Sequence, residues 1–248
     1  MSTRPIARER THTLRFLESV RAFSPVFLDT EVDMTRVLAH RASAARHHSV
    51  ITYVLVVAAR VLAEHPEANA AVTGSRRPKV ATYPGVDAKV ALDKRIGGRR
   101  VVLSAIVPNP HLAGLDRVQD LVERYRDGDP GTLPAFAGAR LLHRLPWPVG
   151  GPLFRLALRS LAHRPALVGT FAVTSLGHRP VDGFHSVGGT TVTLGLGRIA
   201  DRPVARDGEV VIAPVLRLNL AFDHRVIDGA EAADVLTEVR AGLEGFTG

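Results

Sequence analysis

The chain has 248 residues, 46% hydrophobic and 23% charged, an ordinary balance for a globular protein long enough to bury a sizeable core. It contains no cysteine, which excludes disulfides, thiolate metal sites and cysteine nucleophiles. Its net charge of +8 points to an anionic partner. Aromatic residues are sparse and no zinc-finger or RNA-recognition signature is present, so a phosphorylated small molecule is favoured over nucleic acid.

Residues 1–20 are charged and lack the apolar stretch of a signal peptide. Within them Leu14, Leu17 and Val20 recur at helical spacing. The stretch SPVFLDTEVDMT (24–35) alternates through Val26, Leu28, Thr30 and Val32 and reads as a strand, followed by a helix from Met34 to about Ala45. SVITYVLVVAARVLAEHPEANA (49–70) reads as a buried helix capped by Ser49 and ended before Pro66. Its apolar run is interrupted by Arg60 and is too short to span a bilayer. No transmembrane segment is expected, and the protein is read as cytoplasmic. Residues 71–107 read as a β-meander, with KVATYPGVDAKVALD and RRVVLSAIVP as strands. Residues 112–126 place Leu115, Val118, Leu121, Val122 and Tyr125 on one face of an amphipathic helix.

The composition changes over 127–168, which is rich in proline and glycine. PLFRLALRSLAH repeats apolar residues at helical spacing with basic residues between them. Strands return in VGTFAVTSLG (168–177), GGTTVTLGLGRI (188–199) and EVVIAPVLRLNLAFD (209–223), and a final helix runs from about Gly229 to Leu243. Strands and helices mix without regular βαβ alternation, so the fold class is α+β.

Two hexapeptides share one pattern: HRPVDG (178–183) and HRVIDG (224–229). In the second, an alternating strand delivers His224 to its end, a turn follows, and a helix opens near Asp228 and Gly229. Such a histidine needs only a near-neutral pKa and reach to a proton to act as a general base. Gly229 allows a tight turn or the close approach of a substrate. In the first copy no helix follows and Pro180 stiffens the spacing, so it reads as a loop. GLGRIA (195–200) fits a dinucleotide-binding glycine pattern, but Asp201-Arg202-Pro203 follows where a helix should start.

AFDHRVIDGAEAADVL resembles the signature of the acyltransferase component of 2-oxo acid dehydrogenase complexes, the dihydrolipoyl transacylases of the chloramphenicol acetyltransferase-like superfamily. PVFLDTEVDMTRVL (25–38), SVITYVLVVAARVLAEHPEANA, GTFAVTSLG (169–177) and residues 194–230 are similar in order and spacing. The resemblance implies a mixed central sheet with helices on one face, trimers whose sites lie between subunits, and thioester–thiol exchange. It implies that His224 removes the proton of the incoming thiol, of coenzyme A or of dihydrolipoyl, and that a hydroxyl stabilises the oxyanion. The family's Thr-Ile-Ser-Asn-Leu-Gly stretch is AVTSLG here, which puts Thr174 at the serine position, with Ser175 beside it as the alternative donor. Asp228 would orient the site, with Arg15 as its ion-pair partner by position. No cofactor is expected to be bound permanently, and no metal. Coenzyme A is the expected co-substrate, and a homotrimer or multiple of trimers the expected assembly.

Residues 1–248 read as one catalytic domain without lipoyl or subunit-binding domains, so an acyl group would arrive on a lipoyl or other carrier supplied in trans. The family's Pro-x-Gly-Leu run in the middle strands is replaced by LDKRIGGRRVV (92–102). The atypical 127–168 insertion is open to two readings: a surface helix pair covering a trimer edge, or a basic amphipathic lid for a lipid-like acyl chain. Acyl transfer to an amine or alcohol, and a catalytically weak assembly protein of the same fold, stand as alternatives.

Overall fold

The computed structural model describes residues 1, 3, 6–74 and 76–247. In chain order, α1 (Thr11–Ser19) leads into β1 (Pro25–Asp33), α2 (Thr35–Ser43) and α3 (Val50–Glu64). The strands β2 (Ala70–Thr73), β3 (Lys79–Thr82), β4 (Asp87–Ile96) and β5 (Arg99–Pro108) precede α4 (Leu115–Asp127). The helices α5 (Ala137–Arg144), α6 (Trp147–Arg159) and α7 (Arg164–Val168) come next. The chain closes with β6 (Phe171–Ser175), β7 (Val192–Arg206), β8 (Glu209–Asp223) and α8 (Gly229–Glu244).

Six strands form one mixed sheet in the order β1-β8-β7-β6-β4-β5. Short β6 is parallel to both its neighbours, and the other pairs are antiparallel. Strand alternation sorts side chains to two faces. Ala88, Val90, Phe171, Val173, Leu218, Leu220 and their neighbours enter the core beneath the helices. Lys89 points to the other side, where α1 sets Phe16 against its ammonium group at 4.6 Å from the ring centroid.

The centre of the core is α3, buried from Thr52 through Ala59 and at Leu62, with Arg60 left exposed. It packs on α8 and α4. Ser49 occupies the N-cap position with extended backbone, but its hydroxyl does not cap the helix. Buried Gln119 of α4 takes that part: its Oε1 accepts from Ser49 N (2.9 Å), Ser49 Oγ (3.0 Å) and Thr52 Oγ1 (2.6 Å). One side-chain amide thus ties the start of α3 to α4.

The expected meander over 71–107 is divided between two sheets. KVATYPGVDAKVALD breaks at Pro84-Gly85, so β3 pairs with β2 in a separate ribbon while β4 joins the main sheet. Asn69 Nδ2 fixes the break by donating to the carbonyls of Tyr83 (2.9 Å) and Gly85 (3.0 Å). LDKRIGGRRVV is the end of the β4–β5 hairpin, not the interior of a strand. Gly97 and Gly98 both have positive φ (56° and 77°), as a two-residue hairpin turn of matching twist requires.

Residues 137–168 are helical, as their spacing indicates. α5 and α6 pack against α1, and α6 also against α7. His12 of α1 and His143 of α5 lie 2.7 Å apart through Nδ1 and Nε2, and burial pushes both imidazoles below their ordinary pKa.

Candidate active site

β8 lies between β1 and β7, and both neighbours hold its final residues. Asp223 N donates to Thr191 O (3.0 Å), and His224 N donates to Ser24 O (2.9 Å). The chain then turns tightly, with Val226 N returning to Asp223 O (2.9 Å) and Ile227 buried in the core. Asp223 is itself buried. Its carboxylate accepts from Arg225 Nε (2.9 and 3.2 Å), so the two residues flanking His224 clamp each other. The imidazole is therefore placed by backbone and by an ion pair between buried Asp223 and the more exposed Arg225.

The His224 side chain is 46% exposed and rests beside the Phe222 ring at 5.4 Å. Its Nδ1 faces Asp228 Oδ1 at 3.4 Å, which turns Nε2 away from that carboxylate. Asp228 is the N-cap residue of α8, with extended backbone (φ −93°, ψ 170°) and no side-chain cap bond. Its carboxylate is thus available to the imidazole. Gly229 does not make the tight turn expected of it. It lies outside the positive-φ region, and a Cβ there would meet nothing within 4 Å.

The start of α8 is secured from α3. His65 bridges Glu231 Oε1 (Nδ1, 2.8 Å) and Glu238 Oε2 (Nε2, 3.2 Å), two turns apart on α8. Burial lowers the His65 pKa, but the hydrogen bonds and charges of the two glutamates outweigh it and hold it above the ordinary value. Glu231 is three residues beyond Asp228, so this clamp supports the helix end that carries the site. Sequence reading passed over His65 because its partners are far along the chain.

Thr174 lies in β6 opposite Gly195 of β7, half-buried, on the face away from the helical core. Gly195 has no side chain to crowd it. Ser175 is committed locally: its Oγ accepts from Gly177 N at 3.3 Å in the turn that follows. Thr174 and His224 are not brought together within one chain. Thr174 shares a rung with Gly195, which pairs with Asn219. From Asn219 to Asp223 the sheet rises four residues, roughly 13 Å, and Thr174 stands two strands away, roughly 10 Å.

Arg15 does not pair with Asp228. Its buried guanidinium donates to the carbonyls of Leu142 (2.8 Å), Leu145 (3.1 Å) and Pro146 (3.2 Å). It packs so closely on Gly150 that a Cβ there would lie 1.9 Å from Nη1. The residue fastens the 137–159 helices to α1 instead of serving the histidine. No local sequence pattern marks this role, because its acceptors are backbone oxygens of a distant segment.

The first hexapeptide is a loop laid on β7. Asp182 is held by Arg198 (2.6 Å) and Arg202 (3.1 Å). The carbonyls of Phe184 and Asp182 lie 2.3 and 1.9 Å from where Cβ atoms would sit on Gly195 and Gly197. The glycines of GLGRIA therefore admit this loop and do not cradle a phosphate. Farther along the same loop, buried Lys89 donates to Gly188 O, and Arg164 to Gly189 O (2.9 Å). Burial, reinforced by the Arg164 charge, pushes the Lys89 pKa down to about 8.

Residues 159–248 match the family model for the 2-oxoacid dehydrogenases acyltransferase (catalytic domain). A Bacillus subtilis (strain 168) dihydrolipoyllysine-residue acetyltransferase component of the pyruvate dehydrogenase complex is 57% identical over 47 residues, 19% of this chain and 11% of that protein. The match thus spans about a tenth of that relative's length. Over the full chain the fold is that of a probable dihydrolipoamide acetyltransferase from Listeria monocytogenes 4b F2365 (TM-score 0.74, 17% identity, covering 100% of this chain and 96% of that one). An Azotobacter vinelandii dihydrolipoamide acetyltransferase, studied for the role of a serine, a histidine and an asparagine in its catalytic mechanism, gives a TM-score of 0.72 at 20% identity over 98% and 91% of the two chains. A chloramphenicol acetyltransferase gives 0.52 at 15% identity over 96% of each chain.

Proposed function

We propose that the chain transfers an acyl group between a thioester and a thiol, with His224 as general base, a reading supported by the match of residues 159–248 to the 2-oxoacid dehydrogenases acyltransferase model. The observation that carries this reading is His224 itself. It is fixed at the end of β8 by two backbone hydrogen-bonded neighbours, with its Nδ1 on Asp228 and its ring open to solvent. Asp228 favours the tautomer with the proton on Nδ1 and leaves Nε2 as the base. Nε2 takes the thiol proton, and the thiolate attacks the acyl carbonyl to give a tetrahedral oxyanion. Thr174 Oγ1 donates a hydrogen bond to that oxygen. Collapse breaks the bond to the first sulfur, and the imidazolium returns the proton to the departing thiolate. No covalent acyl-enzyme is required, in keeping with a chain without cysteine.

The serine and histidine studied in the Azotobacter vinelandii protein support Thr174 and His224 in these parts, with Asp228 in place of its asparagine. The separation of Thr174 from His224 supports a site completed between copies, hence a homotrimer or a multiple of trimers. Coenzyme A fits as the soluble thiol, with a lipoyl or other acyl carrier as its partner in the transfer.

The test is an assay of acyl transfer from several acyl-coenzyme A donors to dihydrolipoamide. The wild type should turn over at least one pair, and His224→Ala should lose roughly 10²- to 10⁴-fold in kcat, the usual contribution of a general base. Wild-type turnover by His224→Ala on a substrate that the wild type uses would remove His224 from the mechanism.

A further inference from the structure

The α5–α6 segment has a surface that acyl transfer does not use. On α6, Val149, Leu153 and Leu156 fall at i, i+4 and i+7 and are 51%, 47% and 64% exposed. They form one outward stripe, with Pro152 exposed among them. The opposite side of the helix is occupied: Phe154, Ala157 and Leu158 are half-buried and Gly150 is buried against Arg15. A lid over an acyl chain would turn its apolar stripe inward. Here the stripe faces solvent while the inward side packs on α1 and α7.

Within the segment that carries this stripe the charge has one sign. Between Asp129 and Asp182 the sequence has no carboxylate side chain, while six arginines fall in that interval. Arg144, Arg155 and Arg159 are exposed, the last two on α6 itself. Arg164 is turned inward to Gly189 O and does not contribute to the surface. An aliphatic stripe flanked by arginines, with no acidic residue in the same segment, matches the requirements of a helix lying in the interface of an anionic bilayer. Acyl chains receive the leucines, and lipid phosphates meet the guanidinium groups. The arrangement is one of lying on a membrane: no helix among the described residues is long and apolar enough to cross one.

We propose that the outward face of α6, with Arg144 of α5 at its border, docks the protein on an anionic lipid surface. This is independent of the acyl-transfer reading, since no residue of the stripe belongs to the His224 site. The face is rigidly carried: Arg15 holds three carbonyls at the junction of α5 and α6, so the stripe stays presented without unfolding its support.

The experiment is co-sedimentation of the full chain with vesicles of phosphatidylcholine alone and of phosphatidylcholine mixed with phosphatidylglycerol, at low and physiological salt. Binding should require phosphatidylglycerol and weaken with salt. Arg155→Ala combined with Arg159→Ala should lower the partition coefficient about thirtyfold, since each basic residue at such a surface contributes about fivefold. Leu153→Ser with Leu156→Ser should lower it by roughly tenfold or more through the lost apolar insertion. Circular dichroism and light scattering on each variant should match the wild type. The proposal fails if the wild type ignores the anionic vesicles or binds both compositions equally. It also fails if the leucine variant binds undiminished, which would mean simple adhesion of a basic protein. A leucine variant of changed mass would make the stripe a contact between copies and would likewise overturn it.

Discussion

At the scale of single residues, the site separates hydroxyls that are adjacent in sequence. Ser175 already accepts a hydrogen bond from its own turn, whereas Thr174 stands opposite a glycine with its hydroxyl uncommitted to that turn. Thr174→Ala should therefore cost roughly 10²- to 10³-fold in kcat with little change in KM, the signature of a donor that acts on the oxyanion. Thr174→Ser should retain most of the rate, and Ser175→Ala should stay near wild type apart from a small loss of stability. Steady-state kinetics on the three variants checks this assignment. A large kcat loss in Ser175→Ala with none in Thr174→Ala would exchange the two parts.

At the scale of elements, α8 is a helix whose N-cap residue is the candidate site residue Asp228 and whose anchor is His65, at the C-terminal end of α3. His65 has a raised pKa in the folded state, so protonation favours folding. Its contribution is fully present below the unfolded imidazole range, about 6.5, and is lost as pH rises through the higher folded value. Denaturant midpoints measured between about pH 6 and about pH 9 should fall more for the wild type than for His65→Gln, which cannot titrate. Parallel pH profiles would show that the Glu231–His65–Glu238 clamp contributes nothing. This clamp also illustrates what sequence conveys. Strands such as 24–35 and the buried helix 49–65 were legible because alternation and helical spacing are local. HRVIDG was legible because a strand end, a turn and a helix start follow one another there. The division at Pro84-Gly85, the Gln119 cap on α3, the His65 clamp and the use of Arg15 on the α5–α6 junction were not legible. Each depends on partners at least 14 residues away, and most on partners far more distant. Gly229 misled in a different way: a glycine next to a turn invites a backbone explanation, but its φ and its surroundings require none.

At the scale of the whole molecule, one chain carries Thr174 on β6 and His224 just past the end of β8, five residues apart along the sheet and two strands across it. A site shared between copies has a direct consequence for mixtures. His224→Ala and Thr174→Ala, each inactive alone, should regain part of the wild-type activity when dissociated and reassembled together, because some interfaces then join an intact histidine to an intact threonine. Light scattering should give a multiple of three chains for the same sample. Absence of any recovery in verified mixed assemblies would place both residues of each site in one chain. On the proposed sharing of the site between copies, the abundance of the chain would determine its output. Below the concentration at which copies associate, mass action makes the assembled fraction fall far faster than the amount of protein. Sparse expression would then leave folded chains catalytically silent, and a modest rise in synthesis would bring activity on as a threshold.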